Sequence, residues 1–152
     1  MSLSEKINAD LKTAMKSKDQ AALRAIRAIK SALLLLKTQG AEKEITQENE
    51  IQLLQRLAKQ RKESIEIYKK QDRNDLVLEE SEELEVISKY LPEQLSIKEI
   101  EEKVRKIILE SDAKTMADIS KVMPVAMKSF AGNADGKTIS EIVKRLLSMP
   151  NS

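Results

Sequence analysis

Tyr90-Leu91-Pro92-Glu93-Gln94-Leu95-Ser96 ends one helical region and opens another. Pro92 has no N–H, and its ring pushes Leu91 out of helical backbone space. Just beyond, Ser96 and Glu99 have the S-x-x-E spacing of a capping box, in which each side chain takes the other residue's backbone N–H. Leu95 and Ile100 are placed to pack across that box as a hydrophobic staple. The stretch therefore divides the 152-residue chain into an N-terminal helical domain, residues 1–91, and a smaller C-terminal helical domain, residues 96–149.

Outward from this break the apolar residues recur with helical period, and no segment alternates with period two. Upstream, Ser2 and Glu5 predict a capped first helix with Ile7, Leu11 and Met15 on one face. Asp19 caps a second helix carrying Leu23, Ile26, Ile29, Leu33 and Leu36, with Gly40 as its stop. Thr46 opens a third, with Glu48 and Glu50 near its positive end and an apolar stripe of Ile51, Leu54, Leu57, Ala58, Ile65 and Tyr68. Residues 71–75 read as a turn, followed by a fourth helix with Leu76, Leu84, Ile87 and Leu91. Its acidic run, residues 79–85, reads as a solvated face, compensated in part by the basic third helix if the two pack antiparallel.

Downstream, the Ser96-capped helix presents Ile97, Ile100, Val104, Ile107 and Ile108 to a core. Thr115 and Asp118 open a shorter helix that Pro124 kinks or ends. Residues 132–136 read as a loop, and Thr138 with Glu141 repeats the capping spacing before a final stripe of Ile139, Ile142, Val143, Leu146 and Leu147. The fold class is all-α.

Composition excludes several functions. There is no Cys and no His, so there are no disulfides, thiolate nucleophiles, Ser–His–Asp triads or His-ligated metals. Glycine occurs only at 40, 132 and 136, which leaves no Gly-rich phosphate loop. We expect no catalytic residues, no metal and no cofactor. A net charge of +2 is not the footprint of an obligate DNA binder. The longest apolar run, residues 32–36, is far short of a membrane span, so neither DNA nor membrane is expected as a partner. With no apolar leader after Met1, the expectation is a soluble, cytoplasmic protein.

Gly132-Asn133-Ala134-Asp135-Gly136-Lys137-Thr138 is the best candidate site. Gly132 and Gly136 would let backbone approach a ligand, and the following helix N-terminus with Lys137 would favour an anion. The competing reading is an ordinary turn capped by Asp135 or Thr138. From Thr115 onward five Lys and Arg face three Asp and Glu, a modest positive balance that could track a nucleic-acid backbone. Its residues are Lys121, Lys128, Lys137, Lys144 and Arg145. Aromatics are only 2% of the chain, too few for single-strand base stacking. The basic first half, including Lys6, Lys12, Lys16, Lys18, Arg24, Arg27 and Lys30, is a rival surface for RNA or an acidic partner. Met116, Met123 and Met127 suit either a core or a partner groove.

Several strings together resemble the GatB/YqeY family, in particular its small stand-alone YqeY-like members. They are residues 1–8 with Leu11-Lys12 and Ala14-Met15-Lys16; Arg24, Ile26-Arg27 and Ile29-Lys30; residues 59–64 with Tyr68 and residues 73–76; the Tyr90–Ser96 break; residues 117–123; and residues 132–137. The order is kept across essentially the whole chain. Ser120 stands where the family often has Gly, Asn133 where a basic residue is common, and Pro124 where a small residue is frequent.

The resemblance implies a helical bundle joined to a small domain similar to the tail of the B subunit of glutamine-dependent tRNA amidotransferase. In that enzyme the helical and tail regions contribute to tRNA binding, and the chemistry lies elsewhere. The implied function is a tRNA-binding accessory module, non-catalytic alone, although the family label is carbon–nitrogen ligase with glutamine as amido donor. Its implied partners are tRNA and an amidotransferase or another translation protein. The alternative is a helical protein-interaction adaptor with no RNA role.

Overall fold

The structure is a computed structural model that describes residues 2–39 and 44–149. Among these residues there are seven α-helices, one short 3-10 turn and no strand. The helices are α1 (Leu3–Ser17), α2 (Gln20–Gln39), α3 (Gln47–Lys70), α4 (Asn74–Tyr90), α5 (Ile97–Glu110), α6 (Ile119–Ser129) and α7 (Gly136–Ser148). The 3-10 turn, Met116–Asp118, leads into α6. Gly40, expected to stop the second helix, lies outside the described residues. The chain forms two compact units, Met1–Pro92 and Glu93–Ser152.

The first unit is a four-helix assembly. Three of its four helix starts carry a side-chain cap. Ser2 Oγ accepts the Glu5 N–H, Asp19 Oδ1 accepts the Ala22 N–H, and Thr46 with Asn49 makes a reciprocal capping box. Lys18 and Asp72 take left-handed backbone angles where the chain reverses. α3 packs most extensively on α4, α2 on α4, and α1 on α2. The core holds Leu3, Ile7, Ala14, Leu23, Ile26, Ile29, Leu33, Leu53, Leu54, Leu57 and Ile87. Met15, expected on the apolar face of α1, is exposed, because Ala14 takes the inward position one residue earlier.

At the acidic run the expected compensation by the third helix is found at Arg61, but the expected solvated face is not. Glu80, Ser81, Glu82 and Glu83 are half-buried rather than solvated. Arg61 on α3, with 18% of its side chain exposed, lies 3.6 Å from Glu80 and 3.9 Å from Glu83, which keep 22% and 14%. Arg24 on α2 donates to Glu82 at 3.0 Å. Ile87 is the single fully buried side chain of α4, so these carboxylates and their arginines take up much of that helix's inner face. Burial, with the neighbouring Glu83 charge added, pushes the Glu80 carboxyl above the usual carboxylate value.

The second unit packs α5, α6 and α7 around Ile100, Val104, Ile107, Val122, Ala126, Phe130, Ile139, Ile142, Val143 and Leu147. Leu91 is extended, as the following proline demands, and the Ser96–Glu99 box forms in both directions. Ile97 is 61% exposed, contrary to its expected place on the buried face, because α5 turns Ile100, Val104 and Ile107 inward. Pro124 does not end its helix: α6 runs through it to Ser129. The missing N–H and ring crowding are tolerated because Val122, Ala126 and Phe130 are completely buried on both sides of the proline, whose own side is exposed.

Candidate functional site

The loop expected to cradle an anion is already occupied by the chain itself. α7 starts at Gly136, so of the two expected caps, Asp135 and Thr138, the earlier is the one used. Its cap is Asp135, which accepts the Lys137 N–H and the Thr138 hydroxyl, both at 3.1 Å. A carboxylate therefore sits where a phosphate would have to sit, and the positive end of α7 is satisfied internally. A Cβ on Gly136 would meet only Met127 Sδ at 3.9 Å, so that glycine is not required for close approach. Gly132 is different: its φ of 81° is the left-handed conformation that side chains resist.

The rest of the loop is tied to the segment just after Pro92. The Gln94 amide donates to the Gly132 carbonyl at 2.6 Å, the Asn133 amide to the Glu93 carbonyl at 2.8 Å, and the Leu95 N–H to the Asn133 carbonyl at 2.9 Å. Asn133, one of the departures from the family pattern, thus helps to hold the loop to the segment after Pro92.

The five cationic candidates are all exposed but not equally available. Lys121 lies 3.6 Å from Asp118. That carboxyl is held low first by the backbone N–H groups of Lys114 and Thr115, with Lys121 adding to it. Arg145 donates to Glu101 on α5, and this bond holds the Glu101 carboxyl below the usual range. Lys128, Lys137 and Lys144 make no ion pair among the described residues. Lys121 and Lys128 share one face of α6, and Lys137 and Lys144 one face of α7. Each face is opposite its helix's buried stripe. Of the methionines, Met123 packs against the core, while Met116 and Met127 are exposed.

A second site was not foreseen. An open cleft of about 1010 Å³ in the first unit is walled by α1, the starts of α2 and α3 and the end of α4. Ser2, Lys6, Asp10, Thr13 and Ser17 line it from α1. Lys89, Tyr90 and Leu91 face them from the end of α4. The Tyr90 hydroxyl donates to the Asp10 carboxylate across it. Burial, then the bond to Asp10, pushes the Tyr90 hydroxyl well above the ordinary tyrosine value. The signal was readable as a polar stripe on α1, at spacings of four, four, three and four beside the apolar stripe. Among the described residues no cluster of acidic side chains could hold a metal.

A family model described as Yqey-like protein matches residues 4–147. The chain is 31% identical over 145 residues to "Altered inheritance of mitochondria protein 41, mitochondrial" of Pyrenophora tritici-repentis, covering 93% of this chain and 79% of that protein. To the protein of the same name in Saccharomyces cerevisiae (strain ATCC 204508 / S288c) it is 33% identical over 141 residues, covering 88% and 70%. These mitochondrial names overturn the expectation of a cytoplasmic protein. That expectation rested on the lack of an apolar leader, which speaks to secretion alone, because mitochondrial import signals are amphipathic and basic.

Proposed function

Because the chain belongs to the Yqey-like protein family, we propose that it is a tRNA-binding accessory module related to glutamine-dependent tRNA amidotransferase, without catalysis of its own. Its partners are tRNA and an amidotransferase or another translation protein. The observation that carries this reading is the exposure of Lys128, Lys137 and Lys144 with no carboxylate partner among the described residues. Lys121 and Arg145 contribute less, since each must first leave Asp118 or Glu101. The anion is held by side-chain ammonium groups, because Asp135 closes the helix N-terminus to it. The contact is to phosphates, with no base stacking, as the only aromatic of the second unit, Phe130, is buried.

Three phosphate contacts imply an affinity that falls roughly 40-fold between 50 and 200 mM salt. The test is fluorescence anisotropy of labelled bulk tRNA at both salts, with the wild type and Lys128→Glu/Lys137→Glu/Lys144→Glu. Salt-sensitive binding lost in the variant supports the proposal. Binding unchanged in the variant, or none at low salt, refutes it.

The cleft favours a second reading, a protein-interaction adaptor, in which a partner segment enters between α1 and the end of α4. A partner retained after nuclease treatment and lost with Lys6→Glu/Lys89→Glu would favour the adaptor over the RNA module.

A further inference from the structure

The first two helices carry a charge that the rest of the chain does not. Residues 2–39 hold eight Lys and Arg against three Asp and Glu, a net of +5, whereas residues 44–92 hold eight against twelve, a net of −4. Of the eight, only Arg24 meets a carboxylate among the described residues. On α1, Lys12 and Lys16 stand one turn apart, away from the buried Leu3, Ile7 and Ala14. On α2, Arg27, Lys30, Leu34 and Lys37 follow at spacings of three, four and three, an exposed stripe distinct from the buried Ile26, Ile29 and Leu33.

Two leucines decide what this surface suits. Leu34 and Leu35 are 54% and 58% exposed; Leu34 lies within the stripe, between Lys30 and Lys37, and Leu35 lies about 100° further round the helix, on the side toward Arg27. An RNA backbone offers nothing to bury them, and residues 2–39 contain no aromatic side chain to stack on a base. Arg27, Lys30, Leu34, Leu35 and Lys37 lie outside the cleft that α1 and α2 help to wall, so that cleft is not where they would grip an acidic peptide helix. Cations beside exposed leucines match the chemistry of an anionic bilayer surface, phosphate outside and acyl chain just beneath.

We propose that the exposed face of α2 adsorbs to anionic phospholipid bilayers, with Arg27, Lys30 and Lys37 at the headgroups and Leu34 and Leu35 at the acyl boundary. The protein lies on the membrane and does not cross it: among the described residues no helix is long and apolar enough to span. The sequence argument against a membrane partner addressed spanning alone, and surface adsorption needs only charge and a small apolar area.

The experiment is vesicle co-sedimentation of the full chain. One vesicle type is phosphatidylcholine alone, the other three parts phosphatidylcholine to one of phosphatidylserine. We expect partitioning to the anionic vesicles only. It should fall about 100-fold in Arg27→Gln/Lys30→Gln/Lys37→Gln. It should fall at least about 10-fold in Leu34→Ser/Leu35→Ser, which leaves the charge intact. The lysine variant of the second unit, Lys128→Glu/Lys137→Glu/Lys144→Glu, should still bind. No sedimentation with anionic vesicles, equal sedimentation with neutral ones, or indifference to either α2 variant overturns the proposal. So does loss of tRNA binding in the Arg27/Lys30/Lys37 variant without any vesicle binding, which would assign the face to RNA.

Discussion

Replacing Arg61 with Met tests whether the acidic run of α4 is part of the fold. Met keeps most of the apolar stem and removes the guanidinium, the only cation within ion-pair distance of Glu80 and Glu83 among the described residues. Breaking a fully buried pair costs about 3–5 kcal/mol, and breaking an exposed one about 0–1 kcal/mol. The three side chains keep 14–22% exposure, which places the loss between these limits, at about 2 kcal/mol near pH 8. The loss should depend on pH. Burial first, and Glu83 second, already raise the Glu80 carboxyl, and Arg61 works against both. Without Arg61 the carboxyl rises further. A group raised in the folded state binds protons more readily there than in the unfolded chain. Its stabilising contribution is therefore present below the unfolded carboxylate value and lost as pH rises through the folded one. Urea unfolding followed by circular dichroism at pH 5 and pH 8 should show a deficit that is larger at pH 8. Glu80→Gln added to Arg61→Met should recover part of it. Equal midpoints for wild type and Arg61→Met at pH 8, or a deficit that grows toward acid, would show that these carboxylates are solvated after all.

Three further outcomes are expected. Ile87→Ala removes three buried carbons from the only fully buried side chain of α4 and should cost about 3 kcal/mol by urea unfolding, against under about 0.5 kcal/mol for the exposed Leu78→Ala. Gly132→Ala, forced to hold a φ of 81°, should destabilise the second unit by roughly 1–2 kcal/mol in the same measurement, whereas Gly136→Ala should be neutral or slightly stabilising. Glu99 is held below the usual carboxylate value by the Ser96 N–H, so its contribution is present above the unfolded value and lost as pH falls; Glu99→Gln should flatten the acid side of the stability–pH curve.

Helix starts were the most legible part of the sequence. Ser2, Asp19, Thr46 and Ser96 announce themselves because a capping side chain acts on N–H groups two or three residues away. The start of α7 stays open in the sequence because Asp135 and Thr138 both fit a cap; Asp135 is the one used. Of the two readings of Pro124, a kink or an end, the end is excluded: its local penalty is set against the burial of Val122, Ala126 and Phe130, which depends on α5 and α7. The acidic run was invisible as an inner surface because its arginine partners lie about 20 and 60 residues upstream. The cationic candidates could be named from sequence but not fully ranked: Asp118 stands three residues from Lys121 and is a local partner, whereas Glu101, which occupies Arg145, lies on another helix 44 residues away.

The bonds between residues 93–95 and 132–133 bear on how such a module can be moved between proteins. A copy begun at the helix cap, Ser96, would carry the loop but not Glu93, Gln94 or Leu95, which hold it, and three polar groups of Gly132 and Asn133 would face water instead. A copy begun at Glu93 keeps the set intact. Recombination that preserves function should therefore cut at Pro92. Beyond it, the residues that look like a connector are transmitted with the loop some forty positions downstream.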